Sequence, residues 1–268
     1  MKIIKQNALE FRYAMSTGQY KKVLLSFHHG LGDAISFFYN VLPVLKRKYP
    51  SVDFCFDTHM GQENIFGYVD KERLHYDLVV DVVFPCSEWD ADSTETKAER
   101  SLRTEFGIER EKQKDRYMHD YYPYTPYPSP LVGVHFQSTS GDCLCYNKND
   151  SEKLWNAIKE RNLIPIDTQF FHPDATIKRE PYSFADRNMK GMKPDVKNLF
   201  GLLGTLRGFA GVASGNFWSA LCVLPPSKIL YLGTEFPVNK LTRLPVHNMI
   251  KYDEKVVSEW LDDVENIK

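Results

Sequence analysis

Residues 23–35, Val-Leu-Leu-Ser-Phe-His-His-Gly-Leu-Gly-Asp-Ala-Ile, constrain the fold more than any other stretch of the chain. Val23, Leu24 and Leu25 form an apolar run without alternation, the pattern of a strand covered on both faces in a parallel sheet. The run empties into Gly30-x-Gly32, after which Ile35, Phe38, Leu42 and Leu45 recur at helical steps. A strand that ends in a glycine turn at a helix start implies an α/β architecture with a ligand site at the turn. Glycine lets a ligand approach the backbone, and the first N–H groups of the helix attract anions. Asp33 is poorly suited to an anion site. A carboxylate at that turn suits the removal of a proton instead. The predicted helix reaches about Lys48, with Pro43 removing one backbone hydrogen bond inside it and Pro50 ending it.

The same grammar continues along the chain. A lead-in helix is expected around Asn7–Ser16, and strands at Lys22–His28, Val52–Phe56 and Tyr76–Phe84. From Glu88 to Asp120 charge falls at about every second position, and Thr94–Phe106 reads as an exposed amphipathic helix with a solvated face. Tyr121–Pro130 holds four prolines in ten residues, so an extended linker is expected there. The second half repeats the first in outline. Strands are expected at Leu131–Gln137, Leu163–Thr168, Phe209–Ala213 and Lys228–Leu232. Asp150 or Ser151 is expected to cap a helix through Arg161, and Asp195 one that carries Leu199, Leu202, Leu203 and Leu206. Ser214-Gly215-Asn216 turns into a helix through Val223, and Asp253–Ile267 is an amphipathic C-terminal helix. The expected organisation is residues 1–125, residues 126–250, and a terminal helix in 251–268 packing back across the domain junction. The fold class is α/β, two Rossmann-like domains with parallel sheets facing a central cleft, and a ligand near the C-terminal ends of the strands.

Composition narrows the setting. A chain of 268 residues with 43% apolar content can build two cores. A formal net charge of -1 provides no global field to recruit nucleic acid or anionic membrane. No apolar run approaches the ~20 residues of a membrane span, and Met1–Glu10 lacks the apolar core of a signal peptide. The five cysteines are scattered, and Cys143-x-Cys145 lacks the second pair of a zinc site. Reduced thiols and a soluble, cytoplasmic setting follow as expectations.

Three turns at strand ends carry the candidate site residues. The first holds His29, Gly30, Gly32 and Asp33; the second, Gln137, Ser138, Thr139, Ser140 and Gly141; the third, Ser214, Gly215 and Asn216. The third offers N–H groups and small polar side chains at a helix start, which suits a nucleotide diphosphate. The stretch from Lys178 and Arg179 to Lys190 and Lys193 is basic, and Lys190 is expected to supply one cation to that diphosphate. His28 and His29 sit beside the acid on opposite sides of a strand end, so at most one faces the site. Gly30-x-Gly32 alone is a weak nucleotide signal: a dinucleotide fingerprint needs a third glycine where the chain has Ile35. Asp57, at the end of the second predicted strand, keeps a nicotinamide-dependent Rossmann oxidoreductase as an alternative.

Gly30-Leu31-Gly32-Asp33-Ala34, with the helix ending in Leu42-Pro43-Val44-Leu45-Lys46-Arg47-Lys48-Tyr49-Pro50, resembles glycosyltransferase family 9, the heptosyltransferase-like enzymes. Tyr76–Asp81 is similar to the family's third strand, Val132–Phe136 to the opening strand of its nucleotide-sugar domain, and Gly211–Gly215 to its late Asp-Ser/Thr-Gly motif. The resemblance implies a GT-B fold, a nucleotide-sugar donor, no metal or cofactor, and inversion at the anomeric carbon. It puts the general base on Asp33, the acceptor in the first domain and the sugar nucleotide in the second; of the turn residues read above, His29, Gly30 and Gly32 are then on the acceptor side, and Gln137, Ser138, Thr139, Lys190, Ser214, Gly215 and Asn216 on the donor side. The expected acceptor is a saccharide or another hydroxyl-bearing molecule, with nucleic acid not excluded though disfavoured by the near-zero net charge. The chain departs from the family at Ala213, where an Asp is usual, and at Trp218, where a His is usual. That bears on the donor, and it keeps a non-catalytic sugar-nucleotide-binding protein as a further alternative.

Overall fold

A computed structural model describes residues 2–5, 7–58, 75–82, 95–109, 129–139, 145–169, 177, 179–190, 196–233 and 238–266. The chain divides into two compact units, Met1–Arg116 and Tyr117–Lys268. Each holds a parallel sheet with helices, so the expected α/β class is what the structure shows. The proline-rich stretch 121–128 lies outside the described residues.

The first sheet has the order β1-β4-β2-β3, from β1 (Lys2–Lys5), β2 (Lys22–Phe27), β3 (Asp53–Asp57) and β4 (Leu78–Val82). The leading strand β1 was not expected. Its side-chain pattern is short and flanked by lysines, and its pairing with β4 is long-range. Helix α1 (Ala8–Ser16) starts on Asn7, whose side chain accepts from the Leu9 N–H. The helix after the glycine turn is interrupted. It runs as α2 (Leu31–Ser36), a π-helical segment Phe37–Val41, and α3 (Leu42–Lys48). The Leu42 N–H bonds to the Phe37 carbonyl. Pro43 has no N–H to give, and the ladder widens by one residue just before it.

The next helix corrects the sequence reading. Instead of a solvated face over Thr94–Phe106, α4 spans Lys97–Phe106 and buries Ala98, Glu99, Ser101, Leu102, Glu105 and Phe106. A capping box fixes its start: the Thr96 hydroxyl accepts from Glu99 N–H, and Thr96 N–H donates to the Glu99 carboxylate at 2.6 Å. The carboxylates on the buried face are hydrogen-bonded locally, as where Ser101 donates to Glu105 at 2.6 Å. Phe106 meets Phe11 at 4.9 Å and Phe37 at 5.9 Å between ring centroids, so α4 is clamped onto α1 and the π segment.

The second sheet has the order β6-β5-β7-β8-β9, from β5 (Leu131–His135), β6 (Ile164–Asp167), β7 (Gly208–Gly211), β8 (Ile229–Leu232) and an unexpected β9 (His247–Met249). Helix α5 (Lys148–Glu160) is capped by Asn147, three residues before the predicted Asp150; the Asn147 side chain accepts from the N–H groups of Asn149 and Asp150. Helix α6 (Val196–Leu203) follows, with its expected cap Asp195 outside the described residues. Helix α7 (Gly215–Val223) starts on Ser214 as expected, and a short α8 (Val238–Leu241) was not anticipated. In α9 (Glu254–Glu265), Val257, Trp260, Leu261 and Val264 join the core of the second unit. Lys228 closes its C-terminal end, where Nζ donates to the carbonyls of Asp263 and Asn266 at 3.3 and 3.0 Å. Gly133 in β5 is needed for packing: a Cβ there would lie 2.5 Å from Leu206 Cδ1.

The strand orders place the sites. In the first unit the chain leaves β2 toward β3 and returns on the other side as β4, which makes a topological switch point between β2 and β4. In the second unit the switch point lies between β5 and β7. Open parallel sheets bind ligands outside the carboxyl ends of the strands at such points. The turn after β2, the turn after β5 and the turn after β7 are the three singled out from the sequence.

Candidate functional site

In the first unit, His29 spans the switch point. Its Nε2 lies 3.2 Å from the Val82 carbonyl at the end of β4, and its ring packs on Phe27 at 4.7 Å. His28 turns the other way, with Nε2 3.0 Å from Ser26 Oγ. Gly30 has φ -59, open to any residue, and a Cβ built there meets nothing within 4 Å among the described residues. Asp33 lies in the first turn of α2, where the helix dipole favours a carboxylate. Its side chain is 23% exposed, and Oδ1 is ion-paired to Lys97 Nζ on the first residue of α4. Lys97 was absent from the sequence-based site because the stretch around it read as solvated surface. Ile35, at the third-glycine position of a dinucleotide fingerprint, is fully buried in the helix. Asp57 is buried at the end of β3.

In the second unit, the structure gathers Gln137, Ser138, Ser214, Gly215 and Asn216 around the ends of β5 and β7. It gives several of them roles other than those expected. The Asn216 amide is buried and bonded inside the protein. Nδ2 donates to the Thr168 carbonyl at 2.8 Å and Thr168 Oγ1 at 3.1 Å, and lies 3.2 Å from His135 Nδ1. Its side chain therefore ties α7 to the ends of β5 and β6. The amides of Gly215 and Asn216 precede the first intrahelical bonds of α7, because Ser214 Oγ takes the Phe217 N–H and the Ser214 carbonyl takes that of Trp218. Burial pulls His135 down to about 4, and its bond from Asn216 leaves the ring proton on Nε2. Gln137 Nε2 donates to the Glu180 carbonyl at 2.9 Å, so that amide also serves the fold. Thr139 is half-buried at the edge of the described turn, and Ser140 and Gly141 lie outside it.

The expected cation is displaced. Lys190 sits on the surface, with Nζ 2.7 Å from the Glu180 carboxylate. Arg179, from the same basic stretch, is the residue that reaches the turn: its Nε donates to the Ser138 carbonyl at 2.9 Å. Gln169 Nε2 in turn holds the Arg179 carbonyl at 3.0 Å. Trp218 is 5% exposed and packs beside Phe217 within α7, so it adds to the core at a position where the family usually has a polar histidine. Among the described residues no group of three or more His, Cys, Asp or Glu is placed to hold a metal ion. No helix among them is long and apolar enough to cross a membrane.

Solved structures show the same architecture. TibC from enterotoxigenic E. coli, described as an iron-containing dodecameric glycosyltransferase, superposes with a TM-score of 0.62 at 15% identity, over 93% of this chain and 63% of its own. The fold is that of the heptosyltransferases. E. coli heptosyltransferase WaaC, solved with ADP, gives 0.55 at 10% identity over 91% of this chain and 99% of its own. A glycosyl transferase family 9 protein from Veillonella parvula gives 0.51 at 12% identity, over 92% of both chains. The chain thus spans 63% of the length of TibC and 99% of that of WaaC. No family model matches the sequence, and no curated protein matches it.

Proposed function

We propose that the chain is a glycosyltransferase that moves a sugar from a nucleotide-sugar donor to an acceptor hydroxyl, with inversion and without a metal ion. The observation that carries this reading is Asp33, a part-exposed carboxylate at the switch point of a heptosyltransferase fold. On this reading residues 1–125 bind the acceptor and residues 126–250 the donor. The acceptor O–H bond breaks as its oxygen attacks the anomeric carbon, and the proton passes to the Asp33 carboxylate. The bond from that carbon to the nucleoside diphosphate breaks on the opposite face, which inverts the centre. The leaving group departs with the electron pair and gains negative charge. The N–H groups of Gly215 and Asn216, the Ser214 hydroxyl and the Arg179 guanidinium are the groups in the second unit that would bind it, with Lys190 farther out on the surface.

TibC has been solved with ADP-D-beta-D-heptose and WaaC with ADP, so ADP heads the panel of ligands that tests the donor. A thermal-shift series with ADP, UDP, GDP, CMP and NAD is expected to show stabilisation by one nucleoside diphosphate. Stabilisation by NAD alone would overturn the transferase reading in favour of an oxidoreductase that uses Gly30, Gly32 and Asp57. Stabilisation by a diphosphate without any sugar release would favour a non-catalytic binding protein.

A further inference from the structure

The ion pair between Lys97 and Asp33 joins residues 64 positions apart in the chain. Both charges are partly withdrawn from water, with the lysine side chain 11% and the aspartate side chain 23% exposed. Lys97 is not needed to start its helix, because the capping box of Thr96 and Glu99 already does so. Nor is it needed to dock the helix, because Phe106 is held by Phe11 and Phe37. Withdrawing an ammonium and a carboxylate from water carries a desolvation penalty that an apolar pair at the same place would avoid. What the pair does add is orientation. A carboxylate in the first turn of a helix has several rotamers, and an ammonium anchored to a capped, packed helix selects one.

We propose that Lys97 is the positioning residue of the site, holding the Asp33 carboxylate in the orientation that receives the acceptor proton. This rests on the reading of Asp33 as the base. Lys97 itself neither gives nor takes a proton in the step; it stays an ammonium while the proton passes from the acceptor oxygen to the carboxylate. A base whose placement depends on one ion pair loses rate when the pair is cut, since small misplacements of a reacting group cost up to about a hundredfold.

The test uses the full chain and a mixture of ADP-heptose, UDP-glucose and GDP-mannose, with water as the acceptor and release of nucleoside diphosphate as the readout. Lys97→Met is expected to lower the turnover at saturating donor by about ten- to a hundredfold, with the donor KM within about twofold of the parent. Lys97→Arg is expected to recover most of the loss. In an Asp33→Asn background, Lys97→Met is expected to change nothing further, because the two act through one interaction. Lys97→Gln serves in the same way if the methionine variant does not fold, as judged by its melting curve. Release that depends on Asp33 but not on Lys97 would overturn the positioning role alone, as would an equal loss from Lys97→Met with and without Asp33. Release indifferent to Asp33→Asn, or none from the parent chain, would instead remove the base reading and the proposal with it.

Discussion

Two buried ionisable groups at the strand ends of the second unit predict an unusual pH response. Asp167 closes β6 with no exposure; Oδ1 accepts the Gln169 N–H at 2.9 Å, and Oδ2 has no hydrogen-bond partner among the described residues. Burial pushes this carboxyl from 3.8 up to about 7, against the lowering effect of the Gln169 N–H. His135, at the end of the adjacent β5, is pulled by burial from 6.5 down to about 4. Between about pH 4 and 7 the native state holds a proton on Asp167 that the unfolded chain has released. Stability is therefore lost as pH rises through that window, by roughly 4 kcal/mol at ~1.4 kcal/mol per tenfold change in proton affinity. Between 6.5 and about 4 the unfolded chain binds a proton on His135 that the native state refuses. Stability is then lost as pH falls, by roughly 3 kcal/mol. The two slopes oppose each other and nearly cancel from pH 4 to 6.5. Asp167→Asn removes one of them. The variant is expected to match the parent near pH 4 and to exceed it at pH 7.5 by up to roughly 4 kcal/mol, a shift of about 2 M in the urea midpoint for an m-value near 2 kcal/mol/M. Its own stability should climb from pH 4 to 6.5, where the parent is flat. The new amide brings no stranded acceptor, and Gln169 Oε1 two residues on is a buried acceptor without a partner. Urea unfolding followed by tryptophan fluorescence is suited to this unit, which contains Trp155, Trp218 and Trp260. A difference between variant and parent that is the same at pH 4.5 and 7.5 would refute the reasoning.

Asp33→Asn is expected to keep nucleotide affinity in calorimetry while lowering sugar release by about a hundredfold or more, and unchanged release would take Asp33 out of the mechanism. Asn216→Ala should destabilise the second unit by about 2 kcal/mol in urea, because the acceptors on Thr168 and His135 lose their donor; a loss near zero would show that water replaces it. Gly30→Ala should leave the melting temperature within about 2 °C, since its φ suits any residue and its Cβ meets open space, yet raise the acceptor KM about tenfold. An unchanged KM would place the acceptor elsewhere. Arg179→Ala should weaken ADP binding by about tenfold or more in calorimetry and Lys190→Ala by less than about twofold, and the reverse order would restore the cation to Lys190.

Signals confined to one segment were legible in the sequence. The unalternated run Val23–Leu25 is a central strand, and Ser214 does cap the helix it precedes. Asn7 and Asp253 likewise open helices where expected. What could not be read were features made by distant partners. β1 exists because β4, more than seventy residues on, offers it an edge. The face of α4 is buried because aromatic rings from α1 and the π segment meet Phe106, and its buried glutamates are satisfied by neighbours one turn away. A run of alternating charge does not reveal that. The basic stretch that holds Lys190 and Arg179 offers several cations by sequence, and only the fold of that loop shows that Arg179 reaches Ser138 while Lys190 pairs with Glu180. The helix cap at Asn147 was missed because Asp150 and Ser151 are equally good capping residues by type.

The two switch points are built in opposite ways, and the difference matches the work each would do. In the first unit no described residue lies within 4 Å of a Cβ at Gly30, and the acid of the turn is part-exposed and held by a charge. A carboxylate that must carry a negative charge, accept a proton and release it again needs such partial access to water. In the second unit the polar side chains of the equivalent region are buried and cross-linked. His135 is neutral, Asn216 spends its amide on Thr168 and His135, and Gln137 and Gln169 spend theirs on backbone carbonyls. A diphosphate site built on backbone N–H groups, with the Ser214 hydroxyl and the Arg179 guanidinium beside them, would depend for its affinity on how firmly those groups are aimed. The buried polar side chains that the sequence offered as ligand contacts are better understood as the frame that aims them.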